Sequence, residues 1–199
     1  MFIQKLKAAA RKAFTNQRKE DHKLFLVSMT NSSWGLVKEL AGKYPAAVHW
    51  RDEQGATALH YAAMFRDAPM LDWLLDHGAE IEARDEQGFR ALHHAAQCAG
   101  DDPTAALLAL LRRGAEIDPP NKNGTTPLLH AALRNKPWNV RELIIAGANE
   151  NIANHTGHTA AAEALNARWL APALSNAIEE GHAERLRRAE ASRTAAEEA

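Results

Sequence analysis

A chain of 199 residues is long enough for one ordinary domain or a short stack of repeats. Its 24 basic and 25 acidic residues leave a net charge of −1, which excludes a global attraction to nucleic acid or to anionic membranes. The single cysteine, Cys98, excludes an intrachain disulfide and suits a reducing, cytoplasmic setting, and no apolar run approaches the roughly 20 residues of a membrane-spanning helix.

Residues 1–21 open the chain with Phe2, Ile3, Leu6, Ala10, Ala13 and Phe14 at helical spacing. Lys5, Lys7, Arg11, Lys12, Arg18 and Lys19 share the segment, and no acid precedes Glu20. Two readings stand for this amphipathic helix. Its apolar stripe covers the open end of a repeat stack, or residues 1–19 dock on an anionic membrane or partner. No continuous apolar stretch of the kind an export signal carries is present.

Residues 22–51 read as a degenerate first repeat. Leu24, Phe25 and Val27 suggest a short helix, and Leu36, Val37, Leu40 and Ala41 form an apolar stripe on a second one. Asn31-Ser32-Ser33 offers N-cap candidates, and Tyr44-Pro45 ends the helix because the residue before proline avoids helical angles.

A short word then recurs. Asp52-Glu53-Gln54-Gly55-Ala56-Thr57-Ala58-Leu59-His60 returns 33 positions later as Asp85-Glu86-Gln87-Gly88-Phe89-Arg90-Ala91-Leu92-His93. A weaker copy starts at Asn121, with Gly124 and Thr126-Pro127-Leu128-Leu129, and a fourth at Asn154, with Gly157 and Thr159. Thr126-Pro127 is a helix start: the hydroxyl accepts an orphan N–H, and proline loses nothing at the first helical position. Arg90 departs from this pattern, which predicts a weaker cap. Small residues follow at Ala62-Ala63, Ala95-Ala96 and Ala131-Ala132. A longer, more apolar helix comes next, in which Met70, Leu71, Leu74 and Leu75 align with Ala106, Leu107, Leu110 and Leu111, and with Asn139, Val140, Leu143 and Ile144. It ends at Gly78-Ala79, Gly114-Ala115 and Gly147-Ala148, and Ile81, Ile117 and Ile152 follow. Three extra residues fall near Gly100-Asp101-Asp102-Pro103, in the turn between the two helices.

The chain closes on 154–183, with helices over Thr159–Asn166 and Ala173–Glu180 and a stop at Gly181. The Ala/Glu/Arg-rich tail, 184–199, has only Leu186 to bury, so an exposed, fraying helix is expected.

These residues resemble the ankyrin repeat, with its Gly-x-Thr-Pro-Leu-His start and its Gly-Ala end. The resemblance implies an all-α helix-turn-helix solenoid with short hairpin loops, in about five repeats: 52–84, 85–120 and 121–153 between atypical caps at 22–51 and 154–183. It also implies that His60 and His93 are structural, bonding between the start loops of adjacent repeats. Recognition in such a stack falls on the hairpin tips and the ends of the first helices. Here the tips are Glu53, Gln54, Ala56, Glu86, Gln87, Phe89, Lys122, Asn123, Thr125, His155, Thr156 and His158. The first-helix ends are Met64, Phe65, Gln97, Cys98, Leu133 and Arg134. Met64, Phe65 and Phe89 are large apolar groups where the fold requires none, so they are the expected anchors of a protein partner. The alternative for Phe65 is inward packing against the next repeat.

Catalytic and cofactor motifs are not found in the sequence. It has no Gly-x-Ser-x-Gly, no His-Glu-x-x-His and no phosphate-cradling glycine loop. His155 and His158 have no cysteine or carboxylate beside them to complete a tetrahedral zinc site. The acidic or mixed tips do not suit nucleic acid. The expectation is a non-catalytic, monomeric protein-binding module without a cofactor, acting as an adaptor, inhibitor or immunity-like partner. The alternatives are a membrane-tethered or delivered interaction protein with the basic N-terminal helix as its anchor and, disfavoured, an enzyme.

Overall fold

Alternation of a short small-residue segment with a longer apolar one gives helix-turn-helix pairs, because neither segment can bury its face alone. The computed structural model describes residues 19–99, 104–166 and 171–197, and among them lie ten α-helices and no strand. Helix α1 (19–30) pairs with α2 (Trp34–Lys43), and a 3₁₀ turn follows at Pro45–His49. Then come α3 (Ala58–Met64) with α4 (Ala68–Asp76), and α5 (Ala91–Ala96) with α6 (Ala105–Arg112). The last pairs are α7 (Pro127–Leu133) with α8 (Pro137–Ala146), and α9 (Ala160–Asn166) with α10 (Ala171–Glu197). First helices α3, α5, α7 and α9 pack side by side, as do second helices α4, α6, α8 and α10. One core runs through the stack, from Phe25 and Met29 through Leu59, Leu74, Leu92 and Leu110 to Leu128, Leu143 and Ile144. The expected N-terminal helix over residues 1–18 lies outside the described residues, and so does the expected insertion at 100–103.

Local chemistry explains how each pair closes. Ser32, Arg66 and Asn135 take left-handed angles in the turn between the two helices. The next amide then bonds back into the first helix: Ser33 to Ser28, Asp67 to Ala62, and Lys136 to Ala131. In the third pair the carbonyl equivalent to Ala62 belongs to Ala95, which accepts the Cys98 amide at 3.2 Å. Asn139 of α8, fully buried, adds a donor from another repeat. Its Nδ2 donates to Ala96 O at 2.9 Å, to Cys98 O at 3.1 Å and more distantly to Ala95 O at 3.4 Å.

Arg90 shows what the substitution at the cap position achieves. A guanidinium has no acceptor to offer a helix N-terminus, so α5 begins without a side-chain oxygen on its amides. The Arg90 side chain is buried instead, and it ion-pairs with Glu82 before the hairpin and with Glu116 after α6. Glu82 in turn accepts the Glu116 amide at 2.8 Å. A weakened cap is thereby converted into a staple between two repeats.

The end of the chain departs from the sequence expectation. Gly181 does not stop a helix, since α10 runs unbroken through it from Ala171 to Glu197. A Cβ at Gly181 would lie 2.8 Å from Ile144 Cβ and Cγ2 and 3.1 Å from Arg141 O. The glycine therefore serves close approach of α10 to α8, a use of the residue that one strand of sequence cannot distinguish from a stop. Arg141–Glu180 at 3.5 Å and His182–Glu150 at 3.2 Å flank the same contact.

Candidate functional site

Each hairpin tip is built by one side chain. Asp52 Oδ1 accepts from Gln54 N and Ala56 N, Asp85 Oδ1 from Gln87 N and Phe89 N, Asn121 Oδ1 from Asn123 N and Thr125 N, and Asn154 Oδ1 from Thr156 N and His158 N, all at 2.8–3.0 Å. Adjacent tips are then laced together. Glu86 N donates to Gln54 O at 2.8 Å, Lys122 N to Gln87 O at 3.1 Å, and His155 N to Asn123 O at 2.9 Å. A Cβ on Gly88, whose φ is +78°, would sit 2.8 Å from Lys122 N, so the lacing itself needs glycine there.

The second carboxylate oxygens of the two aspartates are also occupied. Tyr61 Oη donates to Asp52 Oδ2 at 2.6 Å, and His94 Nε2 lies 3.2 Å from Asp85 Oδ2. Burial, helped by the Asp52 carboxylate, pushes the Tyr61 phenol up to about 12. The repeated acids are thus consumed in holding hairpins to first helices.

His60 and His93 join neighbouring repeats. Nδ1 of each accepts the N-cap amide of its own helix, from Thr57 and Arg90, at 3.1 Å. That fixes the tautomer, leaving Nε2–H to donate to Phe89 O at 3.2 Å and to Thr125 O at 3.1 Å. Burial holds the imidazoles neutral, lowering His60 to about 4 and His93 to about 3. His130, also buried, falls to about 4.

These bonds divide the expected site residues. Glu53, Gln54, Glu86, Gln87, Lys122, Asn123, His155 and Thr156 are exposed at the tips. Ala56 and Thr125 are not: both are buried, at 8% and 7% exposure. They occupy the position whose N–H bonds the Asx oxygen and which the neighbouring repeat covers. Phe89, at the same position, is half-buried rather than exposed. Its ring stacks on His130 at 5.0 Å and meets His93 edge-on at 5.4 Å. His158 holds that position in the last hairpin and is exposed, its Nδ1 2.6 Å from Glu163.

At the first-helix ends, Met64, Phe65 and Leu133 are 43%, 41% and 45% exposed, and Arg134 is exposed beside them. Phe65 does not turn inward; it leans on Tyr61 and on the edge of Trp34. Gln97 is half-buried, with its amide 3.4 Å from His94 Nδ1. Cys98 is buried, its thiol directed at the carbonyls of Ala63 and His94, and burial raises its pKa away from a nucleophile's. Sequence reasoning missed Val27, 54% exposed on α1, and Trp138, 67% exposed in the first turn of α8. The signal for Trp138 was its place one residue ahead of the Asn139-Val140-Leu143-Ile144 stripe, off the buried face.

Among the described residues no group of three or more His, Cys, Asp or Glu is arranged to hold a metal ion, and no helix is long and apolar enough to cross a membrane.

Laced hairpins, paired helices and inter-repeat histidines agree with an independent comparison. A family model for three copies of the ankyrin repeat matches residues 24–121. The chain belongs to the ankyrin-repeat family. Relatives include the B-cell lymphoma 3 protein homolog of Mus musculus, 35% identical over 146 residues, which is 71% of this chain and 31% of that protein. Palmitoyltransferase akr1 of Schizosaccharomyces pombe is 40% identical over 60 residues, 30% of this chain and 9% of that protein. The chain thus spans under a third of the length of either relative. Ankyrin repeats generally mediate protein–protein interaction, and the family is typically non-catalytic.

Proposed function

We propose that this chain is a non-catalytic protein-binding module that grips its partner with the concave face and the outer hairpin tips. The observation that carries this reading is the exposure of Met64, Phe65 and Leu133 at the ends of α3 and α7, where packing leaves them free. Met64 and Leu133 hold the same position in their helices, with Gln97 between them in the intervening repeat. Together they present an apolar row with a polar centre. The tips beside it grade from Glu53 and Glu86 to Lys122 and His155, so a partner with the opposite gradient docks in one register. Partner occupancy, rather than chemistry, is then the whole activity, exerted as a monomer in the cytoplasm.

The test is a pull-down with the intact chain beside a Phe65→Ala/Leu133→Ala variant. Proteins held by the parent and lost by the variant, with unchanged melting, support the reading. Identical captured sets in both lanes refute it.

A further inference from the structure

We propose a second recognition site on the edge of the stack formed by the helix–helix turns, away from the hairpin tips, and centred on Trp138. It takes an extended segment of another protein that carries apolar side chains beside a carboxylate. Trp138 follows Pro137 in the first turn of α8, and its neighbours Asn139 and Val140 are buried, so the indole is turned out of the core. A cavity lies on either side of it. One, of about 310 Å³, is lined by Cys98, Ala99, Asn135, Lys136 and Asn139 together with Pro137 and Trp138. The other, of about 230 Å³, is bounded by Arg141, Ala173, Ala177 and Glu180, and shares Pro137 and Trp138. Side chains on one face of an extended segment recur about 7 Å apart. One segment can therefore place alternate residues on both sides of a single ring.

Charge decides the chemistry of the occupant. Lys136 lines the larger cavity. Arg66 adds a second cation at its rim, with Nη1 donating to Ala99 O at 2.5 Å. The smaller cavity is balanced, because Arg141 pairs with Glu142 and Glu180. An acidic residue is thus favoured on the Lys136 side of the indole and an apolar one on the other.

The experiment pans the full chain against a random decapeptide library. Enrichment of sequences with Leu, Ile, Phe or Trp within two positions of Asp or Glu is expected. Synthetic versions should bind Trp138→Ala at least about 10-fold more weakly. Lys136→Glu, with Trp138 intact, should turn the selection toward basic flanks. Both side chains are outside the core, and matched melting curves confirm that the variants fold. No enrichment, flanking charge indifferent to Lys136, or binding that survives Trp138→Ala overturns the proposal. Binding abolished instead by Phe65→Ala/Leu133→Ala overturns it while upholding the concave face.

Discussion

Replacing Asn139 by alanine removes a fully buried polar side chain that closes the end of α5 from another repeat. Two carbonyls, of Ala96 and Cys98, lose well-placed donors, and Ala95 loses a long one. A buried carbonyl deprived of its donor costs about 1–3 kcal/mol. Against this, Asn139 Oδ1 is already unpartnered, so its removal returns part of that cost. Alanine also returns up to about 0.7 kcal/mol of helix propensity. A net loss of about 2–3 kcal/mol remains after these offsets. For a chain of this size that lowers the melting temperature by about 4–12 °C. Urea melts give the free energy, and amide hydrogen exchange should show the loss concentrated in α5 and the turn after it. Asn139→Asp keeps the shape but offers only acceptors, so it should cost more than alanine. A stable or stabilised Asn139→Ala protein, or exchange that quickens evenly along the stack, would refute the reasoning.

Gly181→Ala carries a test in its sign. In an open helix the change stabilises by about 1 kcal/mol; against Ile144 at 2.8 Å it should destabilise by about 1–3 kcal/mol, read by thermal melting. Phe89→Ala should lower stability by about 1–2 kcal/mol through loss of the His130 and His93 contacts. An unchanged melting temperature would return Phe89 to the recognition residues. His60, His93 and His130 are neutral in the fold, with pKa values lowered from the usual 6.5 to about 4, 3 and 4. The unfolded chain takes up these protons first, so stability is fully present above about pH 6.5 and falls as the pH drops toward 4. Three such groups give a slope of up to about 4 kcal/mol per pH unit in that window. A flat urea midpoint between pH 6.5 and 4.5 would contradict the assignment.

Much of the fold was legible because each repeat states its own local rules. Thr126-Pro127 starts a helix wherever it stands, and the Asx position at 52, 85, 121 and 154 builds its turn from bonds within five residues. The candidate face was legible only in part. Glu53, Gln54 and Lys122 could be placed on the surface from the turn alone, whereas Ala56, Phe89 and Thr125 could not, because what covers them comes from the adjacent repeat. Trp138 went unnoticed for the converse reason: the residues that frame its cavities, Cys98 and Ala177, lie 40 and 39 positions away.

By itself the sequence determined the period, the helix pairs, the order of small and large apolar residues and the glycines at the turns, since these follow from propensity and from contacts within one repeat. The tertiary structure decided three matters that depend on one repeat meeting another. Gly181 became a contact instead of an end, because Ile144 occupies the space a side chain would need. Asn139 became the closure of α5, because α8 brings its side-chain amide to the carbonyls of Ala96 and Cys98. Arg90 became a staple, because Glu82 and Glu116 converge on it from different repeats. A residue's type sets what bonds it can make, but the stacking of the repeats brings the partner.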